Sequence, residues 1–143
     1  LVGSEMCIRD SPKMIPQPLH LYERLNSHYT NVSACAGPPF TLDLVGRGGA
    51  FTDYDRDGLI DVVISTHNGP PLLLHNTSST EGHWLQIELV GREQNKWAVG
   101  AKVSVYTESG PLVRTHLAGE SYLSANSSRL HFGLGSIETA LDV

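Results

Sequence analysis

The feature that most limits what this chain can fold into is the run Asp53-Tyr54-Asp55-Arg56-Asp57-Gly58-Leu59-Ile60-Asp61. It stands between Gly46-Arg47-Gly48-Gly49-Ala50-Phe51-Thr52 and the β-branched stretch Val62-Val63-Ile64-Ser65-Thr66. Four aspartates in so short a span repel one another in a bare acidic turn. Gathered by a loop, they supply carboxylate oxygens to a hard cation, and Ca²⁺ takes roughly 6–8 such ligands from a flexible backbone. The spacing assigns side-chain ligands to Asp53, Asp55, Asp57 and Asp61 and a backbone carbonyl to Leu59. Gly58 supplies the sharp turn, because glycine adopts positive φ without steric cost. Mg²⁺ suits the pattern less well, since it demands near-octahedral geometry and keeps several waters.

An EF-hand opens with the same D-x-D-x-D-G spacing but closes on a bidentate Glu at the twelfth position and lies between helices. Here the twelfth position is Ile64 and the ninth is Asp61, and the flanks are strand-like. The loop therefore belongs in a β-hairpin.

A length of 143 residues accommodates one ordinary domain or two small ones. With 40% hydrophobic and 17% charged residues, 14 Gly and 8 Pro, the balance is that of a loop-rich, all-β globular chain. The acidic loop, with four Asp and one Arg, carries −3 of the net −5, so the remainder is close to neutral. The absence of a basic stripe argues against a nucleic-acid partner. No apolar run approaches the ~20 residues of a membrane span.

Residues Leu1 to Pro12 resemble a translated sequencing-adaptor read and lack the zones of a signal peptide. They are expected to be a non-native leader, which removes Cys7 from the argument and leaves the natural N-terminus, with any signal peptide, outside this chain. Cys35, in Ser33-Ala34-Cys35-Ala36-Gly37, is expected to be a small buried hydrophobe, since no His or Asp arrangement marks it as a nucleophile.

Along the chain, Leu19, Leu21, Tyr29 and Val32 predict two short strands around a polar turn, and Gly37-Pro38-Pro39 predicts another turn. Leu72-Leu73-Leu74-His75-Asn76 faintly echoes Leu21-Tyr22-Glu23-Arg24-Leu25-Asn26 about 50 residues earlier, a period found in propellers and solenoids. Residues 61–66 read as a strand buried on both faces, followed by an Asn68-Gly69 turn and a strand at 72–75. The polar stretch 76–82 is the expected domain boundary. Beyond it, short strands begin at Trp84, Ala101, Leu112 and Arg129, separated by Gly and Ser turns, as in a small antiparallel sandwich or barrel.

The segment from Gly46 to Val63 resembles an FG-GAP/VCBS repeat, a blade of the integrin α-subunit type of propeller whose D-x-D-x-D-G-x-x-D loop binds Ca²⁺. The segment from His83 onward is similar to the ASPIC/UnbV domain, through His83-Trp84-Leu85, Val99-Gly100-Ala101-Lys102-Val103, Gly119-Glu120-Ser121-Tyr122-Leu123-Ser124 and Arg129-Leu130-His131-Phe132-Gly133-Leu134-Gly135. In this order the two resemble the C-terminal part of the cartilage-acidic-protein-like family. The resemblance implies a partial blade over residues 13–78 and an ASPIC/UnbV domain over 83–143, truncated at both ends of the chain. Two departures stand out: Phe51-Thr52 replaces the Phe-Gly of the repeat, and Lys96-Trp97 occupies a loop where relatives carry a polar turn.

No other constellation carries chemistry. His67, His75 and His83 lie on separate strands or turns without the spacing of a metal site. The glutamates are dispersed, so no glycosidase pair can be nominated, and neither a phosphate loop nor a nucleophile elbow occurs. Sequons at Asn31, Asn76 and Asn126 accept glycans only in a secreted eukaryotic protein. Trp84 is expected in the core by its alternation, with Trp97 or Tyr122 left to stack on a sugar in a carbohydrate-binding module. The expected function is non-enzymatic: a Ca²⁺-stabilised extracellular or periplasmic module that binds a protein or carbohydrate ligand. The alternative is an accessory domain of a biosynthetic or carbohydrate-processing system.

Overall fold

The computed structural model describes residues 15–79 and 81–143; the expected leader at 1–12 lies outside the described residues. With 43% strand and 5% helix, the chain is all-β. The helical content is two single 3-10 turns, Ser33–Cys35 and Pro38–Thr41, the second opened by the Pro-Pro pair. Among the described residues four antiparallel units make up the rest, and none closes into a barrel.

The first unit is a hairpin of β1 (Tyr22–Leu25) and β2 (His28–Asn31), with Asn26 at φ 57° in its turn. Every residue of both strands is exposed. The second is a three-stranded sheet of β3 (Gly46–Thr52), β4 (Asp61–Thr66) and β5 (Leu72–Leu74), with β4 in the middle. The acidic loop connects β3 to β4, as the flanking strand patterns predict. The faint 50-residue echo does not become a structural repeat among the described residues. Its first copy opens a hairpin, whereas its second is the edge of the three-stranded sheet.

β4 corrects one expectation. It is not buried on both faces: Val62 and Ile64 are buried, while Val63 points outward beside its exposed pair partner Leu73. The reason is the period of two along a strand, combined with a sheet whose second face has no apolar cover.

Beyond residues 76–82 lie two two-stranded sheets, β6 (His83–Glu88) with β9 (Arg129–Gly135), and β7 (Lys102–Thr107) with β8 (Gly110–Thr115). Their apolar faces meet in one cluster around Val105, Phe132 and Leu134, joined by Leu85, Ile87, Val103, Leu112 and Leu130. Leu85 pairs with Phe132 and Ile87 with Leu130, so alternate residues of β6 and β9 enter this core. The period of two along β6 puts Trp84 on the other face with Gln86, opposite Leu85 and Ile87, and the expectation of a core tryptophan is overturned: it is 39% exposed. Cys35 is likewise exposed and not buried, because it closes a one-turn 3-10 helix that has no buried residue.

Candidate metal centre

The acidic loop is built by hairpin geometry. Thr52 pairs with Asp61 at the mouth of β3 and β4, which brings the ends of the loop together. Within the loop Arg56 has φ 65° and Gly58 φ 89°, two left-handed residues that curl the backbone inward. Asp53, 4% exposed, organises the interior: Oδ1 accepts from the N–H of Asp57 (3.1 Å), and Oδ2 accepts from the N–H of Gly58 (2.9 Å) and from Nε2 of Gln86 (2.7 Å). Asp61 is fully buried. Its Oδ2 accepts from the N–H of Tyr54 (3.2 Å) and its Oδ1 from the N–H of Asn76 (2.8 Å), with Nδ1 of His75 at 3.2 Å.

Asp53, Asp55 and Asp61 each offer one carboxylate oxygen, and these three atoms lie within 4.8 Å of one another. This acidic cluster could hold a metal ion. The donor set fits a hard cation, being all oxygen, with two carboxylates held by backbone N–H groups and the third, Asp55, unconstrained by any hydrogen bond among the described residues. Asp57 stands apart from this group, and its Oδ1 accepts the N–H of Leu59 (2.8 Å), a local Asx-type turn. Leu59 is half-buried at the same bend.

Residues that sequence reasoning passed over complete the surroundings. His75 lies 3.2 Å from Asp61 and 3.8 Å from Asp55, and its ring meets Tyr54 edge-on at 5.6 Å. A signal for it existed: the pairs Val62–Leu74 and Ile64–Leu72 continue outward to place His75 opposite Asp61. Gln86, Trp84 and His131 come from the other side of the 76–82 segment. Nε2 of His131 lies 2.9 Å from the Gly58 carbonyl, and the Trp84 indole stacks on the His131 ring at 6.1 Å and 15°. A Cβ on Gly58 would fall inside that indole. Only long-range packing, which no local pattern encodes, brings these three residues to the loop.

Nearby contacts tie the same two halves together. The N–H of Phe51 donates to Oδ1 of Asn126 (2.8 Å), and the Phe51 carbonyl accepts the N–H of Ser127 (3.1 Å). Gly48 lies so close to Ser124 and the Tyr122 carbonyl that a side chain there would collide with them. Asn126 also donates to Glu120, so the amide of this sequon is already engaged at both ends. Trp97 and Tyr122 are both exposed.

The buried Asp61 gives a first test. Asp61→Ala strands the N–H groups of Tyr54 and Asn76 and is expected to cost ~2–3 kcal/mol in urea melts. The loss should persist in chelator, because the partners of Asp61 are protein donors.

Fold and site together define an all-β module with a carboxylate cluster at the joint between its N-terminal sheet and its C-terminal strands. Residues 91–143 match the family described as "ASPIC and UnbV". Over about two thirds of the chain it is similar to cartilage acidic protein 1. Identity is 33% over 99 residues with the Xenopus tropicalis protein and 34% over 100 residues with those of Homo sapiens and Mus musculus, covering 66% of this chain in each case. The chain spans about 15% of the length of these curated relatives. No solved structure matches it significantly. Among the described residues no helix is long and apolar enough to cross a membrane.

Proposed function

We propose that this chain is part of a non-catalytic extracellular module, with an adhesion or ligand-binding role, in which Ca²⁺ at the acidic loop stabilises the joint between its two halves. Residues 13–78 are taken as an FG-GAP/VCBS blade and 83–143 as an ASPIC/UnbV domain. The observation that carries the proposal is the convergence of Asp53, Asp55 and Asp61 on a loop already docked to Gln86, Trp84 and His131. Asp57 and the Leu59 carbonyl, the other members of the sequence-derived set, belong to the same loop. When bound, Ca²⁺ supplies positive charge that removes the mutual repulsion of the carboxylates, so binding energy becomes folding energy. The likeness to cartilage acidic protein 1 supports an extracellular setting, where free Ca²⁺ matches the roughly 10⁻⁴–10⁻³ M affinities of extracellular modules.

Asp55 isolates the metal contribution. Its carboxylate accepts no hydrogen bond among the described residues, and its ion-pair partner there is His75, at 3.8 Å. Asp55→Ala should therefore leave the stability in chelator nearly unchanged. In about 2 mM Ca²⁺ it should abolish a stabilisation of ~0.6–1.8 kcal/mol. Thermal melts of both proteins in Ca²⁺, in Mg²⁺ and in chelator test the proposal. Superimposable wild-type melts in all three would overturn it.

A further inference from the structure

A cleft of about 320 Å³ opens between the base of the acidic hairpin and the C-terminal strands, within the size range of small-molecule sites. Four formally charged side chains line it: Asp53, Glu120, Arg114 and Arg129. The two acids are already committed. Asp53 accepts from Asp57, Gly58 and Gln86, and Glu120 accepts from Asn126.

The bases are not committed to the same degree. Arg129 uses Nε toward Glu88 at 3.5 Å. Arg114 makes no ion pair or side-chain hydrogen bond among the described residues. His116, only 7% exposed, has no hydrogen-bond partner for its ring among the described residues. Yet no fully buried side-chain nitrogen or oxygen among them lacks a partner, so the ring nitrogens of His116 reach open space. The space that this ring lines is the cleft.

Strand geometry puts these groups side by side. Leu112 belongs to the core cluster, and residues two and four further on share its face of the strand. The row that starts at core-facing Leu112 therefore continues to exposed Arg114 and, just past the end of β8, to His116, both of which line the cleft. A guanidinium fork beside an imidazole is a receiver for a planar carboxylate, which can take two parallel N–H bonds. Asp53 and Glu120 bond only to neutral donors and keep their charges, which disfavours a multiply charged phosphate, and Arg114 is the cleft guanidinium with no ion-pair partner among the described residues to meet a single negative charge.

We propose that this cleft, which Arg129 also lines, is a binding site for a small carboxylate received by Arg114 and His116. Such a carboxylate can come from a uronic acid or from a peptide C-terminus, and the chemistry recognised is the same. The proposal does not require the metal at the loop, although Asp53 belongs to both sites.

The test is an NMR titration of the full chain with glucuronate and N-acetylglycine. Glucose and N-acetylglycinamide serve as the uncharged counterparts and sulfate as a competing oxyanion, all in millimolar Ca²⁺ and again in chelator. Saturable shifts at residues 114–117 and 129–131 with a carboxylate, absent with its uncharged counterpart, are the expected result. A preference between the two acids identifies the source. Arg114→Gln, at an exposed position without partners, should weaken binding roughly ten- to hundredfold and leave the amide spectrum otherwise intact. Any of three results overturns the proposal: no carboxylate binding under either condition, equal binding of the uncharged molecules or of sulfate, or unchanged affinity in Arg114→Gln.

Discussion

Phe132→Ala is expected to remove ~3–5 kcal/mol of stability, the cost of deleting a well-packed aromatic from a small core. Phe132 is among the largest fully buried side chains, and it joins β6 and β9 to the β7–β8 hairpin through Val105 and Leu134. The core has few alternatives. It contains three buried hydrophobic residues with a partly buried ring around them, so the surroundings cannot collapse fully into the space left. A chain with an ordinary margin of ~5–15 kcal/mol would lose a large share of it. Urea denaturation followed by far-UV circular dichroism measures the change. Leu123→Ala is the control: that leucine is 89% exposed, and its truncation should shift the midpoint hardly at all. Equal effects of the two substitutions would show that the cluster around Val105 is not the core of the folded chain.

The second large effect belongs to Gly58, where Ala should cost ~2–4 kcal/mol for two independent reasons. The residue holds φ 89°, a conformation that a Cβ makes strained. The added methyl would also occupy the place of the Trp84 indole. The backbone cannot move away cheaply, because the Gly58 N–H is bonded to Asp53 and its carbonyl lies beside His131. The indole must yield instead, leaving its stack on His131. Tryptophan emission of Gly58→Ala should therefore move to longer wavelength even in the folded protein, alongside the drop in stability. The double variant Gly58→Ala/Trp84→Ala separates the two causes. Removing the indole relieves the collision but not the backbone strain, so the double variant should be less destabilised than the two single losses added together. Strict additivity would place the whole cost in the backbone.

Much of the site can be read locally. Alternating aspartates with Gly58 between β-branched and glycine-rich flanks are sufficient to place a carboxylate loop in a hairpin, and the pairing of Thr52 with Asp61 follows from that pattern. The strand read from Arg129 spans Arg129–Gly135 in the structure. Legibility is lost wherever the outcome depends on which face of a strand meets what. Trp84 stands in an apolar stretch, but the period of two along β6 sets it beside Gln86 on the face opposite Leu85 and Ile87. Val63 looked buried because its neighbours are apolar, yet the outer face of its sheet has no apolar cover. Which face of a sheet is covered depends on what packs against it, and local hydrophobicity cannot detect that.

The sequence by itself determined the fold class, the position of the hairpin loop and the carboxylates available to it. These depend on interactions within a few residues: turn preference, strand periodicity and like-charge spacing. The tertiary structure alone decided that Asp53, Asp55 and Asp61 converge while Asp57 turns back on its own loop. It also decided that Gln86, Trp84 and His131 dock on that loop, and that Arg114 and His116 face a cleft. The physical reason is that each of these contacts joins residues far apart in the chain, whose meeting depends on how whole sheets pack and in which register.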